Sequence, residues 1–216
     1  MSSTVAVVDY GMGNLRSVSK ALEHVVSANQ RVLVSSNRDE IADAERIVFP
    51  GQGAARDCMA QLKELKLDEV VLQAASEKPF LGVCMGMQVL MAHSEENQGV
   101  DCMNLYAGDV RAFATESLRA QMQHLKIPHM GWNNVSHRRA HPLWQGIDDN
   151  KRFYFVHSYY VDPENEAIIA GTTDYGVEFV SAIANKNVFA AQFHPEKSAS
   201  DGLQLLRNFC RWNGGI

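Results

Sequence analysis

Four short apolar runs, Thr4–Val8, Arg31–Val34, Arg46–Phe49 and Lys78–Val83, are rich in Val, Ile and Phe and end in turn residues. None alternates cleanly between apolar and polar, so each reads as a strand covered on both faces, the mark of a buried parallel sheet. Between the first two, Leu15, Val18, Leu22, Val25 and Val26 recur every three or four residues, which gives a helix one apolar face. Strand, amphipathic helix and strand make a βαβ unit. Met59, Leu62 and Leu65, then Val70, Val71 and Ala74, predict one or two more helices before the fourth run, and Met87 to Ala92 predicts helix after it. The N-terminal half is therefore α/β: a doubly wound, mostly parallel sheet flanked by helices.

After Leu105 the pieces shorten to "DVRAF", "WNNVS", "RFYFVHSYYV", "AIIAGTT", "EFVSAIA" and "VFAAQFH", and a helix closes the chain at Asp201–Trp212. This half is strand-rich and expected to be mixed or antiparallel. No repeat, low-complexity tract or Pro/Gly/Ser linker divides it from the first, so residues 1–216 are read as one domain, a length that suffices for a full core. A net charge of -5 without a block of Lys or Arg argues against nucleic acid as a partner. With no apolar run long enough for a membrane span and no leader, no membrane partner is expected and the location reads as cytoplasmic. The four cysteines, Cys58, Cys84, Cys102 and Cys210, form no C-x-x-C pair and are expected to be reduced.

Two motifs suggest ligands and then fail. "DYGMGNLRS" follows a strand and opens a helix, but Arg16 stands where a dinucleotide fingerprint needs its last glycine, and Ser35, Ser36 and Asn37 end the second strand without a ribose-binding carboxylate. No cofactor is expected, although Asp9 to Asn14 sit where such folds build sites. His137 and His141 have the spacing of helical metal ligands, yet Pro142 and the absence of a Glu between them point to solvated surface histidines and no metal.

"GVCMG" is different. A buried cysteine is by default an inert thiol, but Gly82-x-Cys84-x-Gly86 is the thiol form of the nucleophile elbow, a strand-to-helix turn too tight for larger neighbours. A cysteine there projects from the carboxyl edge of the sheet at a helix N-terminus, which favours the attacking thiolate. Cys58, Cys102 and Cys210 lack that setting. A base is needed next. "AAQFHPEKS" supplies a strand that ends at His194, with Glu196 two residues on; extended backbone around Pro195 would place both on one side. Taken alone, the same stretch also fits a strand that ends in a solvated turn. "FPGQGA" places two glycines around Gln52 at another strand end, which suits backbone N–H groups aimed at an oxyanion. Together the three form an acyl-transfer constellation.

In this order, "DYGMGNLRS", "PGQG", "GVCMGMQ", "SEENQGVD", "PHMGWN", "FVHSYY" and "QFHPEKS" span nearly the whole chain. The sequence resembles the class I, or triad, glutamine amidotransferases, with "PHMGWN" and the lysine of "HPEKS" similar to the glutaminases of histidine biosynthesis. The resemblance implies a flavodoxin-like fold, Cys84 as nucleophile, His194 as base and Glu196 as the carboxylate that orients it. It also implies L-glutamine as substrate, bound near Gly51, Gly53, Gln88, Ser158 and Tyr159, with Gln52 and Met85 as oxyanion donors. The implied partner is a cyclase subunit built as a (β/α)8 barrel, docked near Asn14, Met130, Trp132 and Lys197 to form a heterodimer. Many members of that family carry a β-branched residue where Gln52 stands. Rival readings are a glutaminase of anthranilate, aminodeoxychorismate or pyridoxal phosphate synthesis, or a cysteine hydrolase that acts alone.

Overall fold

Alternation along β1 (Ser3–Val8) divides the interior in two. In the computed structural model, which describes residues 3–113 and 125–215, Val5 and Val7 join an apolar cluster on one face of the sheet while Ala6 and Val8 join another on the opposite face. The first face is covered by α1 (Leu15–Val25) through Val18, Leu22 and Val25, and by α6 (Ala199–Arg211) through Leu205, Leu206 and Phe209. The second is covered by α2 (Arg38–Asp43), α3 (Ala55–Glu64) and α4 (Asp68–Glu77), through side chains such as Ile41, Leu62 and Val71. Helices on both faces are what a doubly wound sheet requires. Each fully buried Leu, Ile or Phe among them contributes about 1.5–3 kcal/mol.

The sheet runs β2 (Gln30–Ser35), β1, β3 (Arg46–Gly51), β4 (Phe80–Cys84), β13 (Val188–Ala191), all parallel, which is the expected arrangement. It continues through β12 (Glu178–Asn185), antiparallel, then β10 (Tyr159–Pro163) and β7 (Tyr106–Ala112), β5 (Met91–Ser94) and β6 (Val100–Asp101). A branch joins β11 (Ile169–Asp174) to β8 (His129–His137), and β8 to β9 (Lys151–His157). Thus the C-terminal half is mixed.

Three readings of the sequence need correction, and one helix had no reading. Met87 to Ala92 is not helical: α5 (Met85–Gln88) lasts one turn, and β5 begins at Met91. There the carbonyls of Val89 and Leu90 accept N–H groups of Met103 and Leu105, so pairing with a distant segment overrides the local pattern. "RFYFVHSYYV" is two strands, β9 and β10, broken at Ser158. The second apolar run is an edge strand, with Val34 40% exposed, and not a buried one. α2 carries no long apolar pattern; Asn37 caps it by accepting the N–H groups of Asp39 and Glu40.

Candidate active site

Register places the site. Strand β4 lies between β3 and β13, with Gly51 opposite Cys84 and Ala191 opposite Val83, so three strand ends open side by side at the carboxyl edge. Cys84 itself has φ 56° and ψ -110°, a backbone state that only tight constraint maintains. Constraint is visible at its neighbours. A Cβ at Gly86 would lie 1.9 Å from the Phe49 carbonyl oxygen, and one at Gly82 would lie 2.8 Å from the Gly86 carbonyl oxygen. The elbow closes only on glycine.

Beyond β13 the chain turns through His194, Pro195, Glu196 and Lys197. That turn is fastened to β9: the His194 N–H donates to the Tyr154 carbonyl at 2.9 Å, and the Tyr154 N–H donates to the Ser198 hydroxyl at 3.0 Å, which in turn donates to the His194 carbonyl at 2.6 Å. The side chains of His194 and Glu196 are both buried, and His194 Nδ1 lies 2.9 Å from Glu196 Oε1. The other ring nitrogen, Nε2, faces the Cys84 sulfur without a completed hydrogen bond, as resting catalytic pairs often do. Burial works against a charged ring, but the Cys84 sulfur and the Glu196 carboxylate outweigh it and push the His194 pKa up to about 10.

Cys84 and His194 line a cleft of about 650 Å³ together with Gly11, Met12, Gly13, Gln52, Gly53, Met85, Gln88, Ser158, Tyr159 and Lys197, while Glu196 stands behind the histidine. Of the loop 9–14, then, its middle reaches the cleft. Gly51 does not line it: a Cβ there would meet the Tyr10 hydroxyl at 2.4 Å, so this glycine is packed behind the oxyanion turn. Gln88 is buried, donates from Nε2 to the Tyr159 carbonyl at 3.1 Å, and leaves Oε1 without a protein partner. Met130 is 62% exposed and Trp132 44%, two residues apart on one side of β8. Trp132 meets the Tyr154 ring edge-on, and Lys197 Nζ lies 5.7 Å from the centre of that ring. Asn14 caps α1 by accepting the Ser17 N–H.

Several residues at the site gave no sequence signal. Glu96 lines the cleft and accepts the Ala55 N–H; it stood inside "SEENQGVD" with no role assigned. The Cys58 thiol donates to the Gln52 carbonyl at 3.6 Å and receives the Tyr10 hydroxyl at 3.7 Å. His157 also reaches the cleft wall. The reading of His137 and His141 as solvated is wrong: His141 is buried between Phe189 and Trp212, and its Nδ1 accepts the Leu143 N–H. His137 stacks on Trp144. Among the described residues no group of three His, Cys, Asp or Glu side chains is placed to hold a metal ion. No helix among them is long and apolar enough to cross a membrane.

Known proteins give the same picture. The family described as glutamine amidotransferase class-I matches residues 6–212. The imidazole glycerol phosphate synthase subunit HisH of Hydrogenovibrio crunogenus is 55% identical over 97% of both chains. HisH 1 of Pseudomonas aeruginosa is 55% identical over 99% of both. Among solved structures, PurLQS from Thermotoga maritima superposes with a TM-score of 0.71 at 18% identity, covering 98% of this chain and 99% of that one. The glutaminase domain of Trypanosoma brucei CTPS, with bound acivicin, gives 0.63 at 19%, covering 98% and 95%. At such identities these two bear on the fold alone.

Proposed function

The chain belongs to the class-I glutamine amidotransferase family, and we propose that within it the protein is the glutaminase subunit of imidazole glycerol phosphate synthase. The observation that carries the chemistry is the strained Cys84 elbow facing a buried histidine that a carboxylate holds at 2.9 Å. L-Glutamine enters the cleft with its side-chain amide over Cys84. The thiolate attacks the amide carbon, and the N–H groups of Gln52 and Met85 meet the oxyanion. His194 Nε2 gives its proton to the departing ammonia, then takes one from the water that cleaves the glutamyl thioester. Glutamate leaves. Glu196 transfers no proton; it holds Nδ1, so that Nε2 is the working nitrogen.

The cleft offers complementary groups for the rest of the substrate. Glu96 and the free Oε1 of Gln88 suit the α-ammonium group, while the backbone around Gly53, Ser158 and Tyr159 frames the α-carboxylate, with Gly51 packed behind it. Ammonia released into neutral water becomes ammonium, which is no nucleophile, so a sealed route to an acceptor is needed. The partner in this reading is the (β/α)8-barrel cyclase, which uses the ammonia to form imidazole glycerol phosphate and an aminoimidazole carboxamide ribotide in the cytoplasm. Exposed Met130 and Trp132, with Lys197 at the cleft and Asn14 at the start of α1, form the docking face. Aromatic anchors of this kind dominate protein interfaces.

Cys84→Ala tests the division of labour. It should abolish glutamine-dependent synthesis by the complex and leave synthesis from ammonium salts, since only the first half-reaction uses the thiol. Retention of glutamine hydrolysis would refute the assignment.

A further inference from the structure

Gln192 stands one residue past β13, and the pairing of Ala191 with Val83 brings it beside Cys84. Its side chain lies in a fully buried residue, where an amide needs hydrogen bonds at both ends. It has both. Nε2 donates to Cys84 Sγ at 3.6 Å, and Oε1 accepts from Gln88 Nε2 at 2.9 Å.

An amide can be turned over without changing its shape, but the groups behind this one settle the orientation. Gln88 Nε2 also donates to the Tyr159 carbonyl, which can only accept, so Gln88 must present its NH2 group on that side. Gln192 must then turn Oε1 to Gln88 and Nε2 to the sulfur. The Tyr159 carbonyl takes a second donor, His157 Nδ1, at 2.7 Å, which uses its remaining lone pair. One backbone carbonyl on β10 thus orients two buried amides and delivers an N–H to the nucleophile.

We propose that Gln192 is a further catalytic residue, whose side-chain N–H holds the Cys84 sulfur as an aimed thiolate. Ionisable groups that act on that sulfur include His194, on the turn after β13, Tyr10, after β1, and Cys58, on α3. Burial pushes Tyr10 and Cys58 up, Cys58 to about 11, so both face the sulfur uncharged near neutral pH. His194 loses and regains its proton during the reaction. Gln192 is the donor that keeps its hydrogen throughout, and it stabilises the thiolate both before attack and when it departs from the thioester.

The inference rests on Cys84 being the nucleophile, and the experiment separates the two. Full-length chains carrying Gln192→Glu or Gln192→Met are alkylated with iodoacetamide across about pH 6 to 10, with modification read at Cys84 by mass. Glu keeps an acceptor for Gln88 and removes the donor; Met removes both at similar size. A hydrogen bond to a charged group corresponds to roughly a ten- to hundredfold change in equilibrium. The midpoint of Cys84 alkylation should therefore move up by about one to two pH units in both variants. In the unsubstituted chain, the side-chain amide protons of Gln192 should shift over the same pH range as Cys84 reacts, and should stop doing so in Cys84→Ala. That measurement needs no change at position 192. An unmoved alkylation profile in both variants, or Gln192 protons indifferent to the state of Cys84, would overturn the proposal. Glutamine hydrolysis that survives Cys84→Ala would instead remove the reading beneath it.

Discussion

Cys84 occupies a backbone state open to few residues other than glycine, and what keeps it there is the absence of two side chains. Gly86→Ala puts a methyl group 1.9 Å from the Phe49 carbonyl oxygen, which is backbone and cannot swing aside. Separating β3 from α5 should cost about 3 kcal/mol or more, with glutaminase turnover lost alongside. Denaturant unfolding measures the first, and an unchanged midpoint would show that the elbow tolerates a larger residue. The elbow was legible in the sequence because its chemistry is local: Gly-x-Cys-x-Gly is the constraint itself. Gln192 was not legible, since a glutamine before Phe-His looks like any polar residue at a strand end. Its meaning comes from the register of β13 on β4, which joins positions 108 residues apart. His141 misled for the same reason, because Phe189 and Trp212 bury it from far along the chain.

At the scale of elements, strands and helices with their own periodicity were readable and short ones were not. α1 and α6 show their apolar faces in sequence; α5 and β5 exchange roles within a few residues because β5 must pair with β7. The oxyanion turn after β3 is an element of this short kind. Its Gln52 carbonyl is tied inward by the Cys58 thiol, and Gly53 has φ +89°. Gly53→Val forces a β-branched residue into that conformation, yet the nearest obstacle is only the flexible tip of Met12 at 2.9 Å. Damage should therefore concentrate in the backbone that aims the oxyanion donor: turnover falls by about 10²–10³ with a small loss of stability. Gly51→Pro should act differently, because atoms added there meet Tyr10 and Met85, so folding suffers together with activity. Melting curves and glutaminase rates for both variants check this contrast. Equal stability losses would mean that the turn and its packing cannot be separated.

The whole molecule carries a pH dependence that no single element contains. Burial lowers His129 and His141 to about 4 and His157 to about 3, so all three are neutral in the fold. The hydrogen bonds agree. His157 Nδ1 meets the Tyr159 carbonyl and must carry a proton, so its Nε2 accepts from His129 Nδ1 at 2.9 Å, and His129 Nε2 accepts from Asn133 at 3.3 Å. An added proton would set donor against donor. In the unfolded chain each histidine takes up its proton near pH 6.5. Between that value and about 4 the unfolded state binds more protons, so stability falls as pH falls, by up to about 1.4 kcal/mol per unit per histidine. His194 has the opposite sign. Its folded pKa is raised to about 10, so its contribution is complete below about 6.5 and is lost as pH rises toward 10. These three rings, together with His137, which burial also lowers, steepen the acid side; His194 and the buried thiols of Cys58 and Cys210, which burial pushes up to about 11, steepen the alkaline side, with greatest stability expected near neutral pH. Denaturant unfolding at a series of pH values should show the midpoint dropping steadily below about pH 6.5. His129→Asn combined with His157→Asn should remove from that slope the share that these two rings supply, about two protons, whatever it does to stability at neutral pH. A midpoint flat from neutral to about pH 5, or a slope unchanged in the double variant, would mean that these rings titrate in the fold as they do in water.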